Sequence, residues 1–143
     1  MGSMTYQITL EENASAEDIS RIGEGIDRHV SELFPGKSVG TITFFVRDES
    51  GLIVGGVSGN YGSFGWLYID AIWVSEHLRG QGYGTELMEM IEAEGVRHGS
   101  RNVYLNTFSF EAPAFYKKLG YTVFAELEDF PPGHHRLFLR KRI

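Results

Sequence analysis

The sequence predicts a mixed α/β fold in which helices cover both faces of a mixed β-sheet. Segments rich in β-branched and aromatic residues are interleaved with helical segments in the order strand, helix, three strands, helix, strand, helix, two strands. One of these strands runs through a glycine-rich turn directly into a helix. The length of 143 residues suits one domain, which buries about 70% of its unfolded surface.

The first predicted elements are a strand and an amphipathic helix. Residues 5–10 alternate between polar and apolar side chains, as a strand with one buried face does. Ser15 has the position of an N-cap before an acidic first turn, and residues 34–36 end the helix. The apolar stripe of this helix consists of Ile19, Ile22, Ile26 and Val30.

A hairpin and a third strand come next. Residues 39–47 and 52–57 are rich in strand-forming residues and flank an acidic turn that ends in a glycine. Glycines between residues 59 and 65 predict a connection to the next strand, at 66–74. The remaining elements are a helix from about 83 to 98, a strand at 102–108, a helix at 111–119, and strands at 121–127 and 137–140.

Composition excludes several classes of protein. The chain contains no cysteine, so disulfides, thiolate metal sites and cysteine nucleophiles are absent. The five histidines lack the spacing of metal ligands on one element, and no metal is expected. With no membrane-length apolar run and no leader pattern, we expect a cytoplasmic protein that does not bind membranes.

Charge and the first residues lead to two further expectations. The net charge of −6 and the scattered basic residues argue against nucleic-acid binding, which needs a clustered basic face. Residues 1–3 resemble an expression-tag remnant, which leaves residues 4–143 as the single predicted domain. A homodimer is possible through a sheet edge or exposed aromatic surface.

The glycine-rich turn has the pattern Arg-x-x-Gly-x-Gly between Arg79 and Gly84. Its glycines let a ligand approach the main chain, and the first N–H groups of the following helix attract an anion. A plain strand-to-helix turn would show the same pattern. A dinucleotide fingerprint is excluded because the turn lies mid-chain, and a phosphate-binding Walker loop because no Gly-Lys-Ser or Gly-Lys-Thr follows.

Two segments of the sequence, taken together and in their order along the chain, resemble the GCN5-related N-acetyltransferase (GNAT) family. The first runs from Ile72 through the glycine turn, and the second spans residues 112–121, with Phe115 and Tyr116 at its centre. The resemblance covers roughly residues 40–142. It implies a single domain with a mixed, mostly antiparallel sheet, in which acetyl coenzyme A lies between two splayed parallel strands.

The resemblance assigns most donor-binding residues to the first segment. The main chain of the strand would hold the pantetheine arm and the acetyl carbonyl, and the turn would hold the pyrophosphate. Arg79 would add charge or fix the turn. The assigned residues are Ile72, Trp73, Val74, Arg79, Gly80, Gln81, Gly82, Tyr83, Gly84 and Thr85.

The second segment supplies a candidate catalytic residue. Tyr116 occupies the position of the family's tyrosine that protonates the departing thiolate, as a hydrogen-bond donor or as an acid. The alternative is a core aromatic residue beside Phe115. Ser109 stands where many members have an asparagine that contacts the cofactor, and Ala112 keeps the small residue expected between Ser109 and Tyr116.

Candidates for the acceptor side come from three further elements. Asp70 lies in an otherwise apolar strand and is the candidate general base, although a structural hydrogen bond would also explain it. Asn106 could orient the acceptor or merely end a strand, and Phe130 could line the acceptor pocket or merely pack.

Two functions therefore stand side by side. The first is direct acetyl transfer from acetyl coenzyme A to a primary amine of a small molecule or peptide. The second is a non-catalytic sensor module that binds coenzyme A or an acyl derivative, which the uncertain base and the serine at 109 would suit.

Overall fold

The computed structural model describes residues 4–36, 39–62 and 64–143. The predicted tag remnant at 1–3 lies outside these residues. The chain divides into two compact units, residues 1–37 and 38–143, which are described separately. The single domain expected from the sequence stays a prediction.

The N-terminal unit contains one helix, α1 (Ala16–Leu33). It begins as predicted, because the Ser15 side chain accepts a hydrogen bond from the backbone N–H of Asp18. The predicted strand at 5–10 is wrong: these residues have no strand pairing, and Ile8 is fully exposed. Alternating side chains predict which face a strand would bury, but a strand forms only where a partner pairs with its backbone.

The C-terminal unit is built on a six-stranded sheet in the order β1-β2-β3-β4-β6-β5. All neighbouring strands are antiparallel except β3 and β4, which are parallel. The strands are β1 (Gly40–Arg47), β2 (Ile53–Tyr61), β3 (Trp66–Val74), β4 (Asn102–Phe108), β5 (Thr122–Glu128) and β6 (His135–Arg142). This arrangement confirms the predicted mixed α/β fold.

Two helices connect the strands of this unit. The helix α2 (Tyr83–Arg97) follows β3 after a short 3-10 turn at Glu76–Leu78, and α3 (Pro113–Lys118) follows β4. Leu87, Met88 and Ile91 of α2 are buried in one apolar core with side chains from the sheet. The sheet residues of this core are Ile42, Val57, Leu67, Ile69, Val103, Leu105 and Leu139.

The strand β2 continues to Tyr61, through residues that the sequence assigns to a connection. Gly59 lies inside the strand. A Cβ at this position would come 2.6 Å from the backbone oxygen of Tyr68 and 3.1 Å from Ile91 Cδ1, so the position requires a glycine. This glycine therefore permits close approach of strand and helix rather than a turn. The sequence pattern alone does not separate these two uses of glycine.

Parallel strands β3 and β4 pair along only three residues. The pairs are Trp66 with Asn102, Leu67 with Val103 and Tyr68 with Tyr104. Beyond Tyr68 and Tyr104, β3 stays hydrogen-bonded to β2 and β4 stays hydrogen-bonded to β6, but β3 and β4 no longer pair with each other. The sheet therefore opens between them into a V-shaped gap.

A buried polar network ties α2 to the C-terminal strand. Glu92 accepts hydrogen bonds from Tyr121 Oη at 3.0 Å and from Lys141 Nζ at 2.7 Å. Burial, followed by the Glu92 charge, raises the pKa of Tyr121. The phenol therefore stays protonated and serves as a donor to the carboxylate.

We expect Glu92→Ala to lower the free energy of unfolding by about 2 to 3 kcal/mol, because it removes the partner of a buried phenol and of the partly buried Lys141 ammonium group. Denaturant titration monitored by circular dichroism measures the loss. Glu94→Ala, on the same helix, is the control: its partners Arg97 and His98 are both exposed, so we expect a loss of less than about 1 kcal/mol. Equal losses in the two variants would contradict a stabilising network at Glu92.

Candidate active site

A cleft of about 880 Å³ opens between β3, β4 and the N-terminal ends of α2 and α3. It lies at the V-shaped gap, on the face of the sheet that α2 covers. Its lining residues are Ile72, Trp73, Val74, Leu78, Arg79, Gly80, Gly82, Tyr83, Gly84, Thr85, Thr107, Phe110, Glu111, Ala112, Phe115 and Tyr116. The volume falls in the range of small-molecule binding sites.

The glycine turn forms one wall of this cleft. Gly80 and Gly82 have φ angles of +74° and +89°, which favour glycine, and Gly82 is the N-cap of α2. Among the described residues, no backbone carbonyl accepts a hydrogen bond from the N–H groups of residues 80–85. These donors and the positive end of the α2 dipole form an anion-binding site.

Arg79 fixes the start of this turn. Its Nε donates a hydrogen bond to the backbone oxygen of Val74 at 3.2 Å. This bond joins the end of β3 to the turn, and it leaves the terminal nitrogens of Arg79 beside the cleft. Both roles considered from the sequence, positive charge and fixing of the turn, are compatible with this geometry.

The strand β3 forms the second wall. Ile72 and Val74 pack against the apolar core, whereas Trp73 is half-exposed. Since β3 is bonded to β2 only on its outer side here, its inner N–H and carbonyl groups face the gap. The main chain of these three residues can therefore hydrogen-bond a ligand that enters between the strands.

Tyr116 lies in α3 and lines the cleft. Its ring packs against Phe115 and Tyr121, and no hydrogen-bond partner for its hydroxyl occurs within the described parts of the chain. Burial raises its pKa to about 12, and the Glu111 carboxylate contributes to the shift. The phenol is thus a protonated donor near the gap.

The sequence did not single out Glu111, which also lines the cleft. Its Oε2 accepts a hydrogen bond from Thr107 Oγ1 at 3.1 Å. This bond holds the carboxylate between the end of β4 and the start of α3. The proximity of this carboxylate to Tyr116 carries no sequence signal of its own.

Two of the residues assigned to the donor lie outside the cleft lining. Gln81 Nε2 donates to the backbone oxygen of His77, so its side chain stabilises the turn from the outside. Ser109 exchanges hydrogen bonds with the backbone of His135 through its Oγ and its N–H. Ala112 lines the cleft beside Tyr116, as expected for a small residue at that position.

Asp70 projects from the other face of the sheet. Ser58 pairs with Ala71 and Gly59 with Ile69, so Asp70 has no opposite residue and forms a β-bulge at the gap. Its side chain is exposed. The bulge places a carboxylate at the edge of the gap, opposite the face on which the cleft opens.

Asn106 and Phe130, both predicted to bind substrate, meet in a cluster on this second face. Asn106 Nδ2 donates to Tyr68 Oη at 3.1 Å, which bridges the two splayed strands. Arg136 Nε donates to Asn106 Oδ1 at 2.9 Å, and the guanidinium carbon lies 5.1 Å from the centroid of the Phe130 ring. The phenyl ring of Phe108 stacks on Phe130 at 5.7 Å.

Tyr68 and Arg136 are missing from the sequence-based candidates. Arg136 lies just before the last predicted strand, at 137–140, whereas in the structure that strand begins at His135 and includes Arg136. Its place in the cluster depends on the pairing of β4 with β6, which brings Arg136 opposite Phe108. Such pairing across the sheet is not readable from local spacing.

Two negative findings apply to the residues that the structure describes. No group of three or more His, Asp or Glu side chains is placed to hold a metal ion within residues 4–36, 39–62 and 64–143. No helix in the same ranges is both long and apolar enough to span a membrane.

Comparison with known proteins places these features in context. The sequence model of the Acetyltransferase (GNAT) family matches residues 10–121. A blasticidin-S acetyltransferase of Streptomyces morookaense is 36% identical over 86 residues. That match covers 59% of this chain and 62% of the relative, so the chain spans less than two thirds of that protein.

Solved structures share the fold. The crystal structure of an acetyltransferase from Bacillus cereus is 34% identical, with a TM-score of 0.83 over 94% of this chain and 98% of that chain. A Bacillus anthracis structure in complex with acetyl coenzyme A, assigned as a streptothricin acetyltransferase, is 16% identical. Its TM-score is 0.63, over 72% of this chain and 69% of that chain.

Proposed function

Because this chain belongs to the GNAT family of acetyltransferases, we propose that it transfers the acetyl group of acetyl coenzyme A directly to a primary amine of a small molecule or peptide. One observation carries this proposal. A single cleft joins the unpaired N–H groups of the glycine turn, the gap between β3 and β4, and the Tyr116 hydroxyl.

The cleft can accommodate the pyrophosphate and the pantetheine arm of the donor. The N–H groups of residues 80–85 would bind the pyrophosphate, and Arg79 would add positive charge. The main chain of Ile72, Trp73 and Val74 would bind the pantetheine arm as an added strand does. Ideal Cβ atoms built on Gly80 and Gly82 meet no protein atom within 4 Å, so open space lies beside the turn for the pyrophosphate.

The transfer needs positioning, carbonyl polarisation and two proton movements. The amine nitrogen attacks the acetyl carbonyl carbon and forms the C–N bond, while the C–S bond breaks and sulfur keeps its electron pair. Backbone N–H groups of β3 polarise the carbonyl. The sulfur gains one proton and the amine loses one, so the products are the amide and the free thiol.

The raised pKa of Tyr116 favours one of the two roles considered for it. Proton transfer from a phenol of pKa about 12 to a thiolate of pKa about 8.5 is uphill by about 5 kcal/mol. Donation of a hydrogen bond carries no such cost. We therefore assign Tyr116 as the donor that stabilises the developing thiolate, with solvent completing protonation.

Asp70 is the proposed proton acceptor. As the bulge residue beyond the last pair of β3 with β4, it carries its carboxylate at the edge of the gap. An amine that approaches from this face can release a proton to it, directly or through water. Asp70→Asn would remove this acceptor and retain the shape of the side chain.

The acceptor is proposed to be a small amine, by analogy with the blasticidin-S acetyltransferase that matches this chain. The test measures free thiol released from acetyl coenzyme A with polyamines, amino acids, aminoglycosides, peptide N-termini and blasticidin S. Turnover with any amine supports transfer. Thermal stabilisation by coenzyme A without turnover on any amine would indicate the binding module instead.

A further inference from the structure

An arginine cluster occupies the second face of the sheet, beside the V-shaped gap. It consists of Arg136, Asn106 and Tyr68 with the phenyl rings of Phe108, Phe130 and Phe138. The guanidinium carbon lies 5.6 Å, 5.1 Å and 5.7 Å from the centroids of these three rings in that order. This half-buried arginine is therefore held among aromatic rings rather than extended into water.

The bonds of Arg136 leave one edge of the guanidinium available. The Nε–H of Arg136 donates to Asn106 Oδ1, so the guanidinium edge that contains Nε already has a hydrogen-bond acceptor. Among the described residues, no Asp or Glu lies within ion-pair distance of Arg136, and the terminal nitrogens have no hydrogen-bond partner. An edge with two parallel N–H donors fits a planar carboxylate.

The position of the cluster connects it to the proposed reaction. Asn106 lies two residues beyond Tyr104, the last β4 residue that pairs with β3, and its side chain bridges to Tyr68. The donor cleft opens at the same gap on the opposite face. An acceptor amine at the gap therefore lies beside the cluster, on the same face as Asp70.

The single positive charge of the cluster favours a carboxylate over a phosphate as its ligand. Among the described residues, Arg136 is the only Lys or Arg whose charged group lies over these three rings. Arg140, on the same strand, packs instead on Phe124, with its guanidinium carbon 5.3 Å from the ring centroid. One guanidinium balances a single negative charge, as a carboxylate carries, whereas phosphate sites commonly combine several donors. The aromatic rings strengthen the pairing by excluding water.

We infer that Arg136 binds a carboxylate of the acceptor, an inference that rests on the proposed function. The substrate is then a small amine that also bears a carboxylate. Asn106 and Tyr68 position the guanidinium for this contact. Arg136 is thus a specificity-determining residue rather than part of the acetyl-transfer step.

The test compares matched substrates that differ only in the carboxylate: glycine with glycinamide, β-alanine with β-alaninamide, and 4-aminobutyrate with its amide. The measurement is kcat/KM for thiol release at saturating acetyl coenzyme A. We expect the wild-type protein to favour the carboxylate in at least one pair by about 10-fold or more. Preference for the amide in every active pair, or turnover confined to amines outside the panel that lack a carboxylate, would overturn the inference.

Substitution then assigns the preference to one side chain. Arg136→Gln should raise KM for the preferred carboxylate substrate by about 10- to 100-fold and change the amide rate less than about twofold. Arg136→Lys should recover part of the preference, because it keeps the charge but loses the two-pronged geometry. Arg140→Gln is the matched control, with an arginine on the same strand and face, and should leave the preference unchanged.

The same assays distinguish failure of the Arg136 inference from failure of the proposed function. Equal losses for the carboxylate and the amide in Arg136→Gln would show a structural role and overturn the inference. Absence of thiol release with every amine, despite stabilisation by coenzyme A, would instead overturn the proposed function and the inference with it.

Discussion

Gly82→Leu is expected to abolish binding of coenzyme A while the protein stays folded. Gly82 lines the cleft and is the N-cap of α2, and its φ angle is +89°. A built Cβ meets no protein atom within 4 Å, so the first side-chain atom of a leucine enters open space beside the turn. The unpaired N–H groups of the turn would then no longer reach a pyrophosphate.

The expected result is measured as ligand-induced stabilisation. Coenzyme A at 100 times the wild-type Kd should stabilise the wild-type protein by about 2.7 kcal/mol. A 100-fold loss of affinity would leave about 0.4 kcal/mol at the same concentration. Thermal unfolding with and without coenzyme A separates these two values.

Gly51→Leu provides a matched control for backbone strain. Gly51 has a φ angle of +88°, and its built Cβ also meets no atom within 4 Å, but it lies in the turn between β1 and β2. Both substitutions should cost about 1 to 2 kcal/mol from the left-handed backbone alone. Stabilisation by coenzyme A that persists in Gly82→Leu, or disappears equally in Gly51→Leu, would contradict the assignment of the turn.

Local chemistry explains why the strand, the glycine turn and the helix that form one wall of the cleft could be predicted from sequence. A strand followed by glycines and a helix needs only neighbouring residues to specify it, and the structure places the turn between β3 and α2. The main chain makes the proposed contacts, so side-chain detail matters little there. The roles assigned to these residues remain predictions that the variants above test.

The arginine cluster could not be predicted in the same way because its contacts are remote in sequence. Arg136 and Asn106 are 30 residues apart, and Asn106 and Tyr68 are 38 apart. These side chains meet only because β4 pairs with β6 while it separates from β3. Alternation along one strand cannot report such contacts.

The wrong strand at 5–10 and the hydrogen bonds of Ser109 both depend on residues that are remote in sequence. The alternation at 5–10 is real, but no described strand pairs with it. The contact of Ser109 with the cofactor stays a prediction, and its hydroxyl accepts a hydrogen bond from the backbone N–H of His135, 26 residues further along the chain. In each case the partner across the fold decides the role, and a single segment does not identify that partner.

Tyr116→Phe is expected to lower kcat by about 100-fold and leave KM for acetyl coenzyme A nearly unchanged, because only the donor to the developing thiolate is lost. The hydroxyl has no protein partner in the described structure, and the ring contacts with Phe115 and Tyr121 persist in the variant. The fold should therefore keep its stability. Steady-state thiol release and thermal unfolding measure the two quantities.

Tyr121→Phe is the control that separates catalysis from stability. It removes a phenol that bonds to Glu92, so we expect a loss of about 1 kcal/mol in the free energy of unfolding with kcat unchanged. A similar fall in kcat for both variants would point to disturbed packing around α3. An unchanged kcat in Tyr116→Phe would remove Tyr116 from the reaction.

The pH dependence adds an independent test of the role of Tyr116. With its pKa raised to about 12, Tyr116 is protonated at lower pH and loses its donor proton only as the pH rises through that value. Its contribution should therefore be constant between about pH 6 and pH 10. The profile of kcat in Tyr116→Phe should lie lower but keep the wild-type shape, whereas loss of a basic limb near pH 9 would show that Tyr116 titrates there and acts as an acid.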